Sequence, residues 1–289
     1  MSRALIIGAN IFDSGKTQLA INLGQALIES GLSVGYFKPV SGHNYWYNHE
    51  HTKWCLERGW LVSKDATRVK DALRIKSDLR LMNPIHSLFV PARIGRPLQN
   101  IPNSLALSGS TSVLVMQRFS EPTRREVDTT ILVANELVES QQLMIRPDEI
   151  GRLSHGAAIL NANSLEAFQE YEHLHYEASV TTSFAYIERE TDLIIIESFN
   201  DSAWPWESLE SVDNVLVTSP GHVFRYDPER FRKAAFLMKR GNLPIREVTV
   251  GRMSDLLKPT AVIDIEPSTS LTSEQMKELD IDLRAGKDD

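Results

Sequence analysis

With a single cysteine, Cys55, the chain cannot close a disulfide within itself, and it fits a reducing compartment. No apolar run approaches the roughly 18 residues needed to cross a bilayer. The opening Met1-Ser2-Arg3-Ala4-Leu5-Ile6-Ile7 is too short in apolar residues to serve as a secretory leader. The cytoplasm is therefore the expected location, with no membrane partner. Positive charge is scarce too: 31 Lys and Arg face 38 Asp and Glu, a formal net charge of −7. That balance argues against nucleic acid as a partner. It does not exclude an anionic ligand, because global charge is screened beyond about 8 Å and a local lysine or helix N-terminus decides binding. Internal repeats and low-complexity tracts are lacking, apart from a polar end, Glu274 to Asp289, that is expected to fray.

What remains is the composition of a globular protein: 289 residues, 42% hydrophobic and 24% charged. The length allows one large α/β domain over residues 1–273, followed by the tail at 274–289. Residues 4–8 read as a buried strand, Gln18 to Ser30 as a helix with Leu19, Leu23, Ala26 and Leu27 on one face, and Ser33 to Phe37 as a second strand. This is a βαβ unit with a parallel pairing. Short apolar runs at Ser112–Met116, Leu193–Ile196, Asn214–Val217 and Glu247–Val250, with a helical pattern at Asp227–Arg240, extend it. The expected fold is three-layer, a mostly parallel central sheet flanked by helices. The stretch from about 118 to 188 reads as a helical elaboration.

Between the first strand and its helix lies Asn10-Ile11-Phe12-Asp13-Ser14-Gly15-Lys16-Thr17. The phosphate-loop pattern G-x-x-x-x-G-K-[ST] places loop amides around a polyphosphate, the lysine on the outer phosphates and the hydroxyl on Mg²⁺. Asn10 stands at the first glycine position, with Gly8 two residues earlier; asparagine tolerates left-handed backbone angles. A strand before and a helix after would aim free amides and the positive dipole end at an anion. The nucleotide contacts expected are Asn10, Asp13, Ser14, Gly15, Lys16, Thr17 and Gln18.

Further blocks follow in a recognisable order: Lys38-Pro39-Val40-Ser41-Gly42, Asp65-Ala66 (with Asp71-Ala72 a rival), Asn83-Pro84 leading to Pro91, and Leu193-Ile194-Ile195-Ile196-Glu197. Together with Lys16-Thr17 they resemble dethiobiotin synthetase and its cobyrinic-acid-synthase-like relatives, P-loop NTPases, over about two thirds of the chain in discontinuous blocks. The resemblance implies an ATP-dependent ligase with Mg²⁺ held by Thr17, Asp65 and Glu197, and with Lys16, Lys38 and Glu197 as catalytic groups. It also implies a homodimer and a small-molecule substrate. Oxygen ligands of this kind suit Mg²⁺, and a lysine near the transferred phosphoryl group would offset its growing negative charge.

The chain departs from that family in several places. Where the family has a glycine-rich stretch after the glutamate, this chain has Ser198-Phe199-Asn200-Asp201-Ser202-Ala203-Trp204. Bulky residues there would reshape the pocket that takes the family's diamino fatty acid. Arg252 is the candidate to stack on the base and Asp255 to accept from an exocyclic amine; ATP is the expected nucleotide, with GTP open. An insert at about 43–62, rich in His, Trp and Tyr, carries His49, His51 and Cys55 at a spacing that matches no familiar zinc framework. Its aromatic residues read as a lid or partner surface. Two functions are carried: a ligase that activates a carboxylate or carbamate by phosphoryl transfer, and a nucleotide-dependent switch acting on a partner protein.

Overall fold

Strands that are apolar on both faces belong between two layers, and four such segments form the centre of the first sheet. In the computed structural model, which describes residues 1–10, 14–93, 112–266 and 270–281, these are β1 (Ser2–Gly8), β2 (Val34–Phe37), β8 (Leu193–Glu197) and β9 (Asn214–Ser219). They run parallel in the order β9-β1-β8-β2, and the antiparallel strands β10 (His222–Tyr226) and β11 (Ala261–Asp264) extend the β9 side. The expected parallel βαβ unit is present, but β1 and β2 are not neighbours: β8 is inserted between them. Helix α1 (Lys16–Glu29) makes the crossover, packing Leu19, Leu23 and Leu27 against the sheet.

A second sheet replaces the single one expected. It has five strands, in the order β3 (Val40–Asn44), β4 (Ile85–Pro91), β5 (Ser112–Pro122), β6 (Val127–Val133) and β7 (Ala158–Asn161). The chain passes from β2 into β3 through Lys38-Pro39. The proline has no N–H to offer a ladder, while the Lys38 amide donates to the Met82 carbonyl at 2.8 Å. The whole is a mixed α/β protein, one mainly parallel sheet and one of mixed direction, with helices against them.

Three expectations need correction. Residues 118–188 are not a helical elaboration alone: beside the helices α5 (Asn135–Glu139), α6 (Pro147–Leu153) and α7 (Leu165–Glu188) they hold the end of β5 and all of β6 and β7. The strand pattern of β5 is hidden because Gln117, Arg118 and Ser120 are buried polar residues. Glu247–Val250 is not a strand; short 3₁₀ turns, Ile245–Glu247 and Val250–Arg252, flank a single bridge between Thr249 and Ser202. The polar end does not simply fray. A capping box of Thr272 and Gln275 starts a helix, Ser273–Leu279, that buries Met276 and Leu279. Residues 282–289 of that tail lie outside the described residues. Among the described residues no helix is long and apolar enough to cross a membrane.

Arg118 ties the second sheet to the surrounding loops. It is buried without a carboxylate partner, and its guanidinium donates to the carbonyls of Leu61 (2.7 Å), Pro84 and Arg80 (3.3 Å each) and Asn83 (2.5 Å), and to the Ser120 hydroxyl. Burial pushes its proton affinity down, to about 9, yet the fan of acceptors matches the donor fork of arginine. Arg118→Met should lower the unfolding free energy by about 3 kcal/mol, since it strands several buried carbonyls at once. Denaturant unfolding of the variant measures this, and Arg118→Lys should rescue little because an ammonium cannot reach the same set.

Candidate functional site

The loop between β1 and α1 turns on two glycines. Gly15 takes a left-handed conformation (φ 84°) at the N-cap of α1, and no side chain caps the helix there. At Gly8 a Cβ would stand 2.8 Å from each of the Lys16 Nζ, the Ser14 Oγ and the Asn10 carbonyl oxygen, so only glycine permits the closure. Asn10 is not left-handed, contrary to the reason given for its place in the motif. Instead Ser14 closes the turn: its hydroxyl donates to the Asn10 carbonyl at 2.8 Å and accepts from the Asn10 amide at 3.2 Å. Thr218, at the end of β9, donates to the Ser14 carbonyl at 3.0 Å and fixes the loop from the other side. Asp13 lies outside the described residues.

Register then decides which side chains meet this loop. In β8, Ile196 is paired with Phe37 of β2 and Glu197 with Ile6 of β1, so Glu197 emerges beside both Lys38 and the loop. The Lys38 ammonium contacts Glu197 Oε1 at 2.7 Å and also the carboxylate of Asp65. Thr17 Oγ1 donates to the same Glu197 oxygen at 3.2 Å, and the Tyr36 hydroxyl donates to Oε2 at 2.8 Å. Asp65 arrives on the first turn of α3 (Lys64–Leu73), which Ser63 caps by accepting from the Ala66 amide. Asp71, its rival, is on the same helix but outside this cluster. Asn83 braces the lysine's backbone, its Nδ2 donating to the Lys38 carbonyl at 2.7 Å.

Burial by itself would lower the proton affinity of Lys38, but Glu197 and Asp65 outweigh it and raise it. For Asp65, burial works upward, and the charge and hydrogen bond of Lys38 overcome it to hold the carboxyl low. Lys16 is the contrast. Burial lowers its proton affinity, partly offset by Glu197, and among the described residues its ammonium makes no hydrogen bond or ion pair. An ammonium half out of water with nothing to hold, beside an uncapped helix N-terminus, is a cation arranged for an anion.

These groups line one cavity of about 660 Å³. Ser14, Gly15, Lys16, Thr17 and Gln18 form one wall, and Lys38, Asp65 and Glu197 another. Thr17, Asp65 and Glu197 present oxygens only, two carboxylates and a hydroxyl, gathered around the positive charge of Lys38. That donor set fits a hard divalent cation such as Mg²⁺. Arg252 is exposed on its 3₁₀ turn and does not line this cavity, and neither does Asp255. Asn44, Asn48 and Arg68 do, and the sequence reading missed them. Arg68 was findable, three residues after Asp65 on one helical face. So was Tyr36, two residues before Lys38 on one side of an extended strand.

The His/Trp/Tyr insert divides into a strand and the helix α2 (His49–Arg58). Its histidines and cysteine are used internally. His51 Nε2 bonds the Val62 carbonyl at 2.8 Å, and burial pushes the Cys55 thiol up to about 11. His43 Nδ1 meets His86 Nε2 at 2.7 Å, and His86 Nδ1 meets the Ser41 hydroxyl at 2.6 Å. Among the described residues no group of three or more His, Cys, Asp or Glu side chains could hold a metal ion. Trp46 (54% exposed) and Tyr47 (80%) face solvent between Asn44 and Asn48, at the cavity's border.

No family model matches the chain, and neither a curated protein nor a solved structure matches it.

Two outcomes follow from the charge cluster. Lys38→Met leaves Glu197 buried and uncompensated and should cost about 3–5 kcal/mol of unfolding free energy at neutral pH. Adding Glu197→Gln should return most of it, which a double-mutant cycle reads directly. Because the folded Asp65 carboxyl is held low, its contribution is complete above the ordinary carboxylate range and is lost as pH falls through the depressed value. Asp65→Asn should therefore flatten the acid limb of the stability–pH curve below about pH 4. Its side chain is 37% exposed, so the effect is smaller than for Lys38.

Proposed function

We propose that the chain is a Mg²⁺-dependent P-loop protein that binds a nucleoside triphosphate, ATP in the first instance, and acts as a ligase-like enzyme. In this reading the γ-phosphoryl group moves to a carboxylate or carbamate oxygen, and an amine then attacks the activated carbonyl. The observation that carries it is the Lys16 ammonium, unpaired among the described residues, at the uncapped start of α1; it shares a cavity with its neighbour Thr17 and with Lys38, Asp65 and Glu197 from three other segments.

Each residue has a role that its own chemistry supports. The α1 amides and Lys16 bind the outer phosphates. Thr17, Asp65 and Glu197 would hold Mg²⁺, which when bound supplies charge neutralisation to the phosphate oxygens. Lys38, kept protonated by its two carboxylates, adds positive charge beside the transferred group. Tyr36 orients Glu197 from below. The cavity volume lies within the range of about 300–1,000 Å³ typical of small-molecule sites.

One observation favours a second reading, a nucleotide-dependent switch on a partner protein: the exposed aromatic pair Trp46 and Tyr47 beside the cavity. Exposed aromatic residues at a functional rim suit protein contacts. Turnover separates the two. Stimulation of ATP hydrolysis by a pool of small carboxylates and amines supports the ligase, whereas slow turnover that answers only to a protein partner rejects it. Under both readings Lys16→Ala should weaken nucleotide binding at least about tenfold, as expected for a lost charge-assisted contact. Its unfolding midpoint should barely move, since among the described residues the Lys16 ammonium makes no hydrogen bond or ion pair. Unimpaired ATP affinity in that variant would sink the proposal.

A further inference from the structure

Beside the phosphate-loop cavity lies a smaller one of about 280 Å³, and the two share Ser41, Gly42, Phe89, Phe199 and Asn200 as a common wall. Its apolar lining comes from Pro39, Val40, Leu114 and Pro205. Four charged side chains also reach it, one cation, Arg246, and three anions, Glu172, Asp201 and Glu247.

The cation is already engaged. Arg246 Nη2 donates to Glu172 Oε1 at 2.8 Å, and the guanidinium lies 3.9 Å over the Tyr176 ring. The other Glu172 oxygen accepts from Gln117 Nε2 at 2.8 Å. Among the described residues, the charged groups left without a partner both accept. Asp201, half-buried, and Glu247 make no side-chain hydrogen bond or ion pair among the described residues. Gln117 is only 2% exposed, and its Oε1 has no partner. Buried or half-buried acceptors left unmet carry a desolvation cost that a donor relieves.

We propose that this cavity binds a small primary amine in its ammonium form, with its donors on Asp201 and Gln117 and its carbon stem against Leu114, Pro205 and Phe199. An ammonium has three donors and no acceptor, the complement of two unpaired carboxylates, Asp201 and Glu247, and the buried Gln117 oxygen. A carboxylate would meet two unpaired anions and an arginine already neutralised. The volume, at the lower end for ligand sites, limits the stem to a few carbons. Asp201 also raises the proton affinity of Lys16, so the amine site borders the phosphate loop. Its role as acceptor in nucleotide-driven chemistry rests on the reading above; its binding does not.

Titration calorimetry of the intact protein with butylamine and 1,4-diaminobutane, against butyrate and 1-butanol, tests the assignment. The amines should bind and the controls should not, and Asp201→Asn should weaken the amines about tenfold or more. Among the described residues the Asp201 side chain makes no hydrogen bond or ion pair, so this variant should remain folded; Gln117→Leu supplies a second, independent loss. Butyrate binding as tightly as butylamine would overturn the proposal, and so would no amine binding or amine affinity untouched by Asp201→Asn. Nucleotide binding is measured separately on the unmodified protein. Its absence would remove the ligase reading and leave the amine site standing, while amine failure in a nucleotide-binding protein removes only this inference.

Discussion

The structure is organised around one buried charge, the ammonium of Lys38. It sits where the chain leaves the first sheet for the second, 4% exposed, a position where an uncompensated ion would cost several kcal/mol. Glu197 from the neighbouring strand and Asp65 from the start of α3 supply that compensation, and Thr17 and Tyr36 also donate to Glu197. Five side chains from four segments are thereby fixed relative to one another. Asn83 holds the lysine's own carbonyl, so the joint between sheets is pinned in backbone as well as side chain.

Against that paired cation stands an unpaired one. Lys16 lies near the same carboxylates, close enough for Glu197 and Asp65 to act on it, yet bonds to none of them. The difference comes from direction. Lys38 projects from a strand end into the carboxylates, while Lys16 folds back over the bare backbone of Gly8. A fold that satisfies one ammonium completely and leaves the next without a partner concentrates its unmet positive charge at a helix N-terminus. The chain after Glu197 shapes the far side of the site. Asn200 adopts a left-handed conformation (φ 49°), and Phe199 forms part of the wall between the two cavities. In this segment side chains rather than bare backbone thus line the wall shared by the two cavities.

Much of this was legible in local pattern. Continuous apolar runs marked β1, β2, β8 and β9 because strands covered on both faces have no polar side to show. Lys16-Thr17 was identifiable from the strand–loop–helix pattern, whereas Lys38, Asp65 and Glu197 were singled out by the order of blocks that resembles dethiobiotin synthetase. Of the second sheet only Ser112–Met116, the first half of β5, was legible. In β5 the buried Gln117, Arg118 and Ser120 break the alternation, and their hydrogen-bond partners at Leu61, Asn83 and Glu172 are remote in sequence. Arg252, expected to stack on the base, is not brought to the cavity, because a 3₁₀ turn leaves it exposed outside the lining.

By itself, then, the sequence determined the strand–loop–helix around Gly15-Lys16-Thr17 and the identity of the charged groups, because backbone angles and hydrophobic period are local properties. Only the tertiary structure decided that β8 lies between β1 and β2, that Lys38 is neutralised while Lys16 is not, and that a second cavity with unmet acceptors adjoins the first. Those outcomes depend on which distant strands share a register, and on how the cost of burying each charge is met by partners that no local pattern can name.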